Sequence, residues 1–247
     1  MKYFAIIKYL GCDFHGFQVQ PNARTVQGEL TAAFSALFAT PVMITGCSRT
    51  DSGVHANEFA ITVEAQGATV PPEKLPIAVM RYLPKDVAVV SCTECMEGFH
   101  PRYSIKSKEY LYRIKNSRIR DPFDVGRVWF FAPEITDEGL ARMHSAAKYI
   151  VGKQDFASFM AEGSDVADTV RTVEYLTVDR RGDYVEMRVC ADGFLYNMVR
   201  IIVGTLIDVA LGRITSEDVG RIIESKNRAE AGMTAPPDGL YLNKVNY

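Results

Sequence analysis

Residues 46–56, Gly-Cys-Ser-Arg-Thr-Asp-Ser-Gly-Val-His-Ala, bring Arg49, Asp51 and His55 close together in the chain. The segment joins two apolar stretches that read as strands, and loops held by rigid strands commonly carry reactive groups. A carboxylate at Asp51, held ionised by the neighbouring Arg49, is available for chemistry. Asp51-Ser52-Gly53 is also good turn chemistry, and a plain turn accounts for these residue types equally well. The same tripeptide matches the short signature of aspartic proteases. Their chemistry needs two carboxylates sharing one proton, and the chain holds no second D-[ST]-G. Ser-Arg-Thr rather than an apolar strand end precedes Asp51, which disfavours that reading further.

A second feature lies at residues 194–211, an apolar stretch predicted to be a helix. Asn197, Arg200, Gly204 and Asp208 share one stripe of it, among Leu, Ile, Val and Met. A guanidinium buried in such a helix is costly unless a carboxylate meets it. Asp208 lies two turns away, too far for a direct bond, so the partner must come from elsewhere; Asp51 is one candidate. Gly204 has no side chain and lets another backbone approach.

Charge supplies the third clue. The net charge of −2 argues against a chain that coats nucleic acid generally. Between Arg102 and Arg120, however, Arg102, Lys106, Lys108, Arg113, Lys115, Arg118 and Arg120 face a single acid, Glu109. Tyr103, Tyr110 and Tyr112 are interleaved with them. The strip reads either as a solvated strand face or as a phosphate-tracking surface with rings to stack on unpaired bases. Five cysteines, an odd number, point to reduced thiols. Cys92 and Cys95 form a lone CxxC near His100 without the second half of a zinc site, so buried strand thiols are expected. Residues 1–10 lack a signal-peptide cleavage site and 194–211 is interrupted by polar residues, so no membrane association and a cytoplasmic protein are expected.

These residues must be positioned by a mixed chain. Strands are predicted at 2–10, 42–46, 58–65 and 87–95, with a helix capped by Thr25 and another near 73–82. The second half repeats the order: a strand at 108–115, then a helix opened by Thr136 and stopped by Gly152. Strands at 169–179 and 184–191 follow, joined by a turn at Gly182, then the 194–211 helix, a short helix opened by Ser216, and a strand at 240–246. Each half reads β-α-β-β-α-β, the ferredoxin-like order. The fold expected is α+β (α/β): two ferredoxin-like halves, residues 1–104 with the Asp51 loop and 105–247 with the basic strand and Arg200 helix. Their sheets are expected to join around a central active-site cleft.

Ser48-Arg-Thr-Asp-Ser-Gly-Val-His-Ala56 closely resembles the catalytic motif of the tRNA pseudouridine synthase A (TruA) family, GRTDxGVHA. The resemblance runs along nearly the whole chain. It includes Tyr9-Leu-Gly-Cys-Asp-Phe-His-Gly-Phe-Gln18, Phe99-His-Pro-Arg102, Lys108-Glu-Tyr-Leu-Tyr112, Phe194-Leu-Tyr-Asn-Met-Val-Arg-Ile-Ile-Val-Gly204 and Thr234-Ala-Pro-Pro-Asp-Gly-Leu240. Ser48 stands where the family has Gly, a departure that touches backbone freedom and no catalytic atom. The resemblance implies a homodimeric isomerase acting on uridines 38, 39 and 40 of the tRNA anticodon stem-loop, with no cofactor and no metal. It implies that Asp51 is the catalytic carboxylate and that Arg49 flips and holds the target nucleotide. By the same resemblance Tyr110 stacks on the uracil and Arg200 pairs with the catalytic aspartate.

Overall fold

The alternation at the N-terminus folds as β1 (Lys2–Tyr9), with Tyr3, Ala5, Ile7 and Tyr9 turned into the core. The computed structural model describes residues 1–67, 70–164 and 166–247. Thr25 caps α1 (Val26–Phe38), its side chain accepting from Gly28 N, a contact worth about 1 kcal/mol at such a position. Val26, Leu30, Ala33 and Phe34 form the buried stripe of α1, and Tyr3 stacks on Phe38 at its end. β2 (Val42–Gly46) and β3 (His55–Ala65) follow, then a 3₁₀ turn at Pro72–Lys74, α2 (Leu75–Met80) and β4 (Val87–Glu94). β1 lies between β4 and β3, and β2 pairs the far edge of β3, all antiparallel. That order, β4-β1-β3-β2, is the ferredoxin-like sheet. α2 is shorter than the predicted helix, because Pro76 in its first turn follows the 3₁₀ segment and the helix ends at Met80.

A second unit holds β5 (Ser107–Asn116), β6 (Trp129–Phe131), α3 (Asp137–Ile150), β7 (Gly152–Asp155), β8 (Val170–Arg181), β9 (Tyr184–Ala191), α4 (Met198–Ala210) and α5 (Asp218–Ser225). β5, β9, β8 and β7 form an antiparallel sheet in that order, and β6 runs parallel to the end of β5. The order β5-β9-β8 mirrors β1-β3-β2 in the first unit. Helix α3 packs on β8 and α4. Arg142 from α3 donates to the terminal carbonyls of α4, Val209 O at 3.2 Å and Ala210 O at 2.6 Å. A cation at a helix C-terminus satisfies carbonyls that have no partner within the helix.

Several local expectations change. α4 starts at Met198 rather than 194, because Asn197 adopts a left-handed backbone with φ 58°. A right-handed helix cannot continue through such a residue. Asn197 therefore sits at the mouth of α4 rather than on its stripe. Ser216 does not open α5; its hydroxyl donates to Arg142 O, while Thr215 and Asp218 bond each other reciprocally. β6 and β7 are strands of three and four residues that no alternation in the sequence marks.

The chain divides into Met1–Lys106 with Tyr241–Tyr247, and Ser107–Leu240. Its first division falls two residues beyond the expected boundary after 104. The C-terminal strand β10 (Leu240–Asn246), assigned from sequence to the second lobe, lies from Tyr241 onward with the first unit. There it pairs in parallel with β3, Tyr241 opposite His55 and Leu242 opposite Ala56.

Candidate active site

The chain leaves the sheet at Gly46 and returns at His55, and the loop between carries Arg49 and Asp51. The segment after β1 fastens that loop along its length. Thr50 O accepts from Phe17 N at 3.2 Å, and Phe14 O accepts from Gly53 N and from Ser52 Oγ, each at 3.2 Å. The buried hydroxyls of Thr50 and Tyr9 share a hydrogen bond of 2.8 Å. Asp51's own carbonyl accepts from Val54 N at 3.2 Å, closing the turn. The backbone under the carboxylate is thus fixed, and the Asp51 side chain is half-buried.

His55 anchors the return into β3. It is fully buried, its Nδ1 accepts from Gly11 N at 2.8 Å, and its ring stacks on Tyr241 with centroids 4.5 Å apart. An accepting Nδ1 carries no proton, so a neutral ring has its proton on Nε2. His55 is a strut of the loop rather than a group open to solvent. Gly11 and Gly16 make the clamp possible. A Cβ at Gly11 would stand 2.0 Å from Val54 O. One at Gly16 would stand 2.5 Å from Thr50 O, on a backbone with φ of 84°. Only glycine takes both the close approach and the left-handed backbone without strain. Tyr9, Gly11 and Gly16 are positioning residues, a task for which their own stretch of sequence gives no local sign. Ser48 has a negative φ, so the glycine usual in the family is not needed here for backbone conformation.

Arg49 is exposed and lines a cavity of about 250 Å³ together with Gln18, Gln27, Ser48, His100, Arg102 and Tyr103.

In the second unit Tyr110 lies on β5, only 7% exposed, and meets the ring of Phe194 edge-on at 4.9 Å. Arg200, in the first turn of α4, is half-buried. Its Nη1 donates to Asn197 Oδ1 at 2.7 Å and its Nε to Ala235 O at 2.6 Å. The expected need for an outside partner is met in part by neutral oxygens of its own unit. Asp208 pairs instead with Arg213 at 2.8 Å. Gly204 plays its expected part: a Cβ there would stand 1.8 Å from Met233 O, so the 231–235 segment runs directly against α4.

The basic strip is not uniformly available. Arg113 pairs with Glu186 and Lys115 with Asp183, each at 3.1 Å. Tyr112 is fully buried, donates to Pro236 O at 2.7 Å and has its phenol pushed well above the ordinary range by burial. It is therefore no stacking surface. Tyr103 is 78% exposed, and Arg102, Lys106, Arg118 and Arg120 are open.

The model of a family described as tRNA pseudouridine synthase matches residues 5–104 and 146–247. The tRNA pseudouridine synthase A of Thermoanaerobacter sp. (strain X514) is 42% identical over 242 residues, 98% of each chain. That of Bacillus subtilis (strain 168) is 40% identical over 251 residues, covering 100% of this chain and 99% of its own. The chain belongs to the tRNA pseudouridine synthase A family. As a tRNA pseudouridine synthase it is an isomerase, exchanging the N1–C1′ bond of a uridine for C5–C1′. Among solved structures, a chain of "Crystal Structure of a Cbf5-Nop10-Gar1 Complex" matches at a TM-score of 0.40 and 12% identity, over 98% of this chain and 49% of that one. That likeness is too distant to bear on the site.

The lone CxxC of this synthase is split by its strand. Cys92 is buried in β4, where burial pushes its thiol up to about 12, and Cys95 lies half-buried just past the strand end. Among the described residues no three His, Cys, Asp or Glu side chains are grouped to hold a metal ion. No helix among them is long and apolar enough to cross a membrane.

Proposed function

We propose that this synthase converts uridines 38, 39 and 40 of the tRNA anticodon stem-loop to pseudouridine, with the Asp51 carboxylate as nucleophile or base. One observation carries the reading: Asp51 stands on a loop whose backbone is held on both sides by the Phe14–Phe17 segment. A catalytic group must be fixed before its substrate arrives, and the backbone bonds around Asp51 fix it. The motif around Asp51 supports the assignment.

The target base must leave its stack, at a cost of a few kcal/mol that is smallest in or near a loop. Exposed Arg49 holds the extruded nucleotide, and Tyr110 stacks on the uracil. Asp51 then acts by one of two routes. It attacks C1′, displacing uracil and forming a glycosyl ester, or it takes the C2′ proton as the N1–C1′ bond breaks. In the first route the uracil turns and C5 attacks C1′, breaking the ester and releasing the Asp51 carboxylate; in the second C5 bonds to C1′ and Asp51 returns the proton to C2′. In both, the C5 hydrogen is lost to water and N1 takes up a proton. Arg200, already held on two sides by Asn197 and Ala235, is assigned as the cation that keeps Asp51 charged. The family resemblance supports a homodimer in the cytoplasm.

Release of tritium from tRNA labelled at uridine C5 tests the reaction, and mapping pseudouridine in tRNA from cells lacking the protein tests the positions. Loss of modification at 38–40 alone is the expected result; modification lost at other positions overturns that assignment. A module that binds tRNA without catalysis would release no tritium. Two substitutions separate the assigned roles. Tyr110→Phe keeps the ring and its edge contact with Phe194, so a rate within about threefold of wild type assigns Tyr110 to packing alone. A larger loss gives the hydroxyl a chemical role. Arg200→Leu removes two charged hydrogen bonds, each worth roughly 1.5–3 kcal/mol. Reduced melting temperature and reduced kcat are both expected, and full activity refutes the pairing with Asp51.

A further inference from the structure

The cavity beside Arg49 has features that the isomerisation itself does not require. Its charged lining is Arg49 and Arg102, with His100, Gln18, Gln27 and Ser48 beside them; among the described residues no carboxylate lines it. Positive lining in a chain of net charge −2 marks a local site for an anionic backbone. At its rim stands Tyr103, 78% exposed, a ring that folding has not buried. Yet Tyr103 is not loose. His100 stacks against one face with centroids 4.3 Å apart and planes 30° from parallel. The imidazole is itself fixed, because its Nδ1 accepts from the backbone N–H groups of Arg102 at 3.1 Å and Tyr103 at 3.3 Å. Ser104 closes the turn, its hydroxyl accepting from His100 N at 3.2 Å and its N–H donating to His100 O at 3.0 Å. One ring face is backed and the other is presented to solvent.

We infer that Tyr103, backed by His100, is a stacking platform for an unpaired base of the tRNA loop beside the target uridine, with Arg102 and Arg49 on the flanking phosphates. The inference rests on the tRNA reading above and deepens it by naming where a second nucleotide is held. The cavity shares Ser48 and Arg49 with the catalytic loop, so it opens two residues along the chain from Asp51. Stacking is tolerant of base identity, since every base has a π face. Such a platform does not select one loop sequence over another. It is a positioning element, and it holds the loop open while the neighbouring uridine is extruded.

The test uses the whole protein and an anticodon stem-loop RNA carrying 2-aminopurine at each unpaired loop position in turn. With wild type and Tyr103→Phe, one position shows emission quenched by stacking; with Tyr103→Ala that quenching is lost. Tyr103→Ala also raises KM for tRNA by roughly 10-fold or more, with a smaller change in kcat, the range that loss of one base–aromatic stack gives. Arg102→Ala lowers the slope of log Kd against log salt by about one phosphate contact. Emission independent of Tyr103 at every position, or a wild-type KM in Tyr103→Ala, overturns the platform. So does an equal loss in Tyr103→Phe, because that variant keeps the ring. Wild-type protein that releases no tritium from tRNA would instead refute the synthase reading, so the two failures are distinguishable.

Discussion

Asp51→Ala is expected to abolish tritium release from tRNA, a loss in kcat of the order of 10⁴-fold or more, the scale on which removal of a nucleophile acts. Affinity for tRNA should stay within about threefold, because phosphate contacts supply most of the binding energy. The variant should also fold: the loop is held by backbone atoms of Thr50, Asp51 and Gly53 and by the hydroxyls of Thr50 and Ser52, none of which is lost. Stable protein, intact binding and absent turnover together assign the chemistry to the carboxylate. Turnover surviving above about one-hundredth of wild type would remove Asp51 from the nucleophile role, since direct participation is worth far more.

Gly11→Ala tests the clamp without touching any reacting group. The new methyl would stand 2.0 Å from Val54 O and 2.5 Å from its carbonyl carbon, so backbone must shift. Overpacking of this kind costs about 1–3 kcal/mol and more where backbone resists. The shift also strains the bond from Gly11 N to His55 Nδ1, the strut under the loop. Displacement of a catalytic group by about 1 Å costs on the order of 10²-fold in rate. The expected result is a lower melting temperature with kcat reduced about 100-fold although Asp51 is intact. A variant with normal kcat would show that the loop's position is not set by the β1–α1 segment.

Much of this was legible where the signal is local. β10 appears with the bounds its alternation predicts, α1 with the cap and stripe that Thr25 and Val26–Phe34 specify, and Gly204 against a backbone as its missing side chain suggested. The crowding of Arg49, Asp51 and His55 falls on the connection between β2 and β3, as the two flanking apolar stretches suggest. What escaped depends on partners far along the chain. β3 starts at His55, earlier than its own pattern indicates, because Tyr241 pairs with that residue. β7 is the polar tetrapeptide Gly-Lys-Gln-Asp, a strand only because β8 supplies its hydrogen bonds. Period counting carried the 194–211 helix back across Asn197, whose left-handed backbone no hydropathy pattern records. Tyr112 and Tyr103 looked interchangeable in the basic strip, yet one is wholly enclosed and the other almost wholly open. In the sequence Arg200 is a charge seeking a carboxylate; in the fold a carbonyl and an amide already take two of its donors.

The first unit is assembled from two pieces of chain, Met1–Lys106 and Tyr241–Tyr247. The ring that lies on His55 belongs to the second piece. During synthesis the nascent N-terminal piece emerges first and waits while residues 107–240 are translated, at about 5–20 residues per second. Through that interval the loop bearing Asp51 lacks its strand neighbour Tyr241, and also the bonds from Val245 N to Glu58 and from Asn57 to Asn243. Closing so long a gap carries an entropic cost that only the finished strand can offset. The surroundings of the Asp51 loop are therefore completed only when the 241–247 segment is in place.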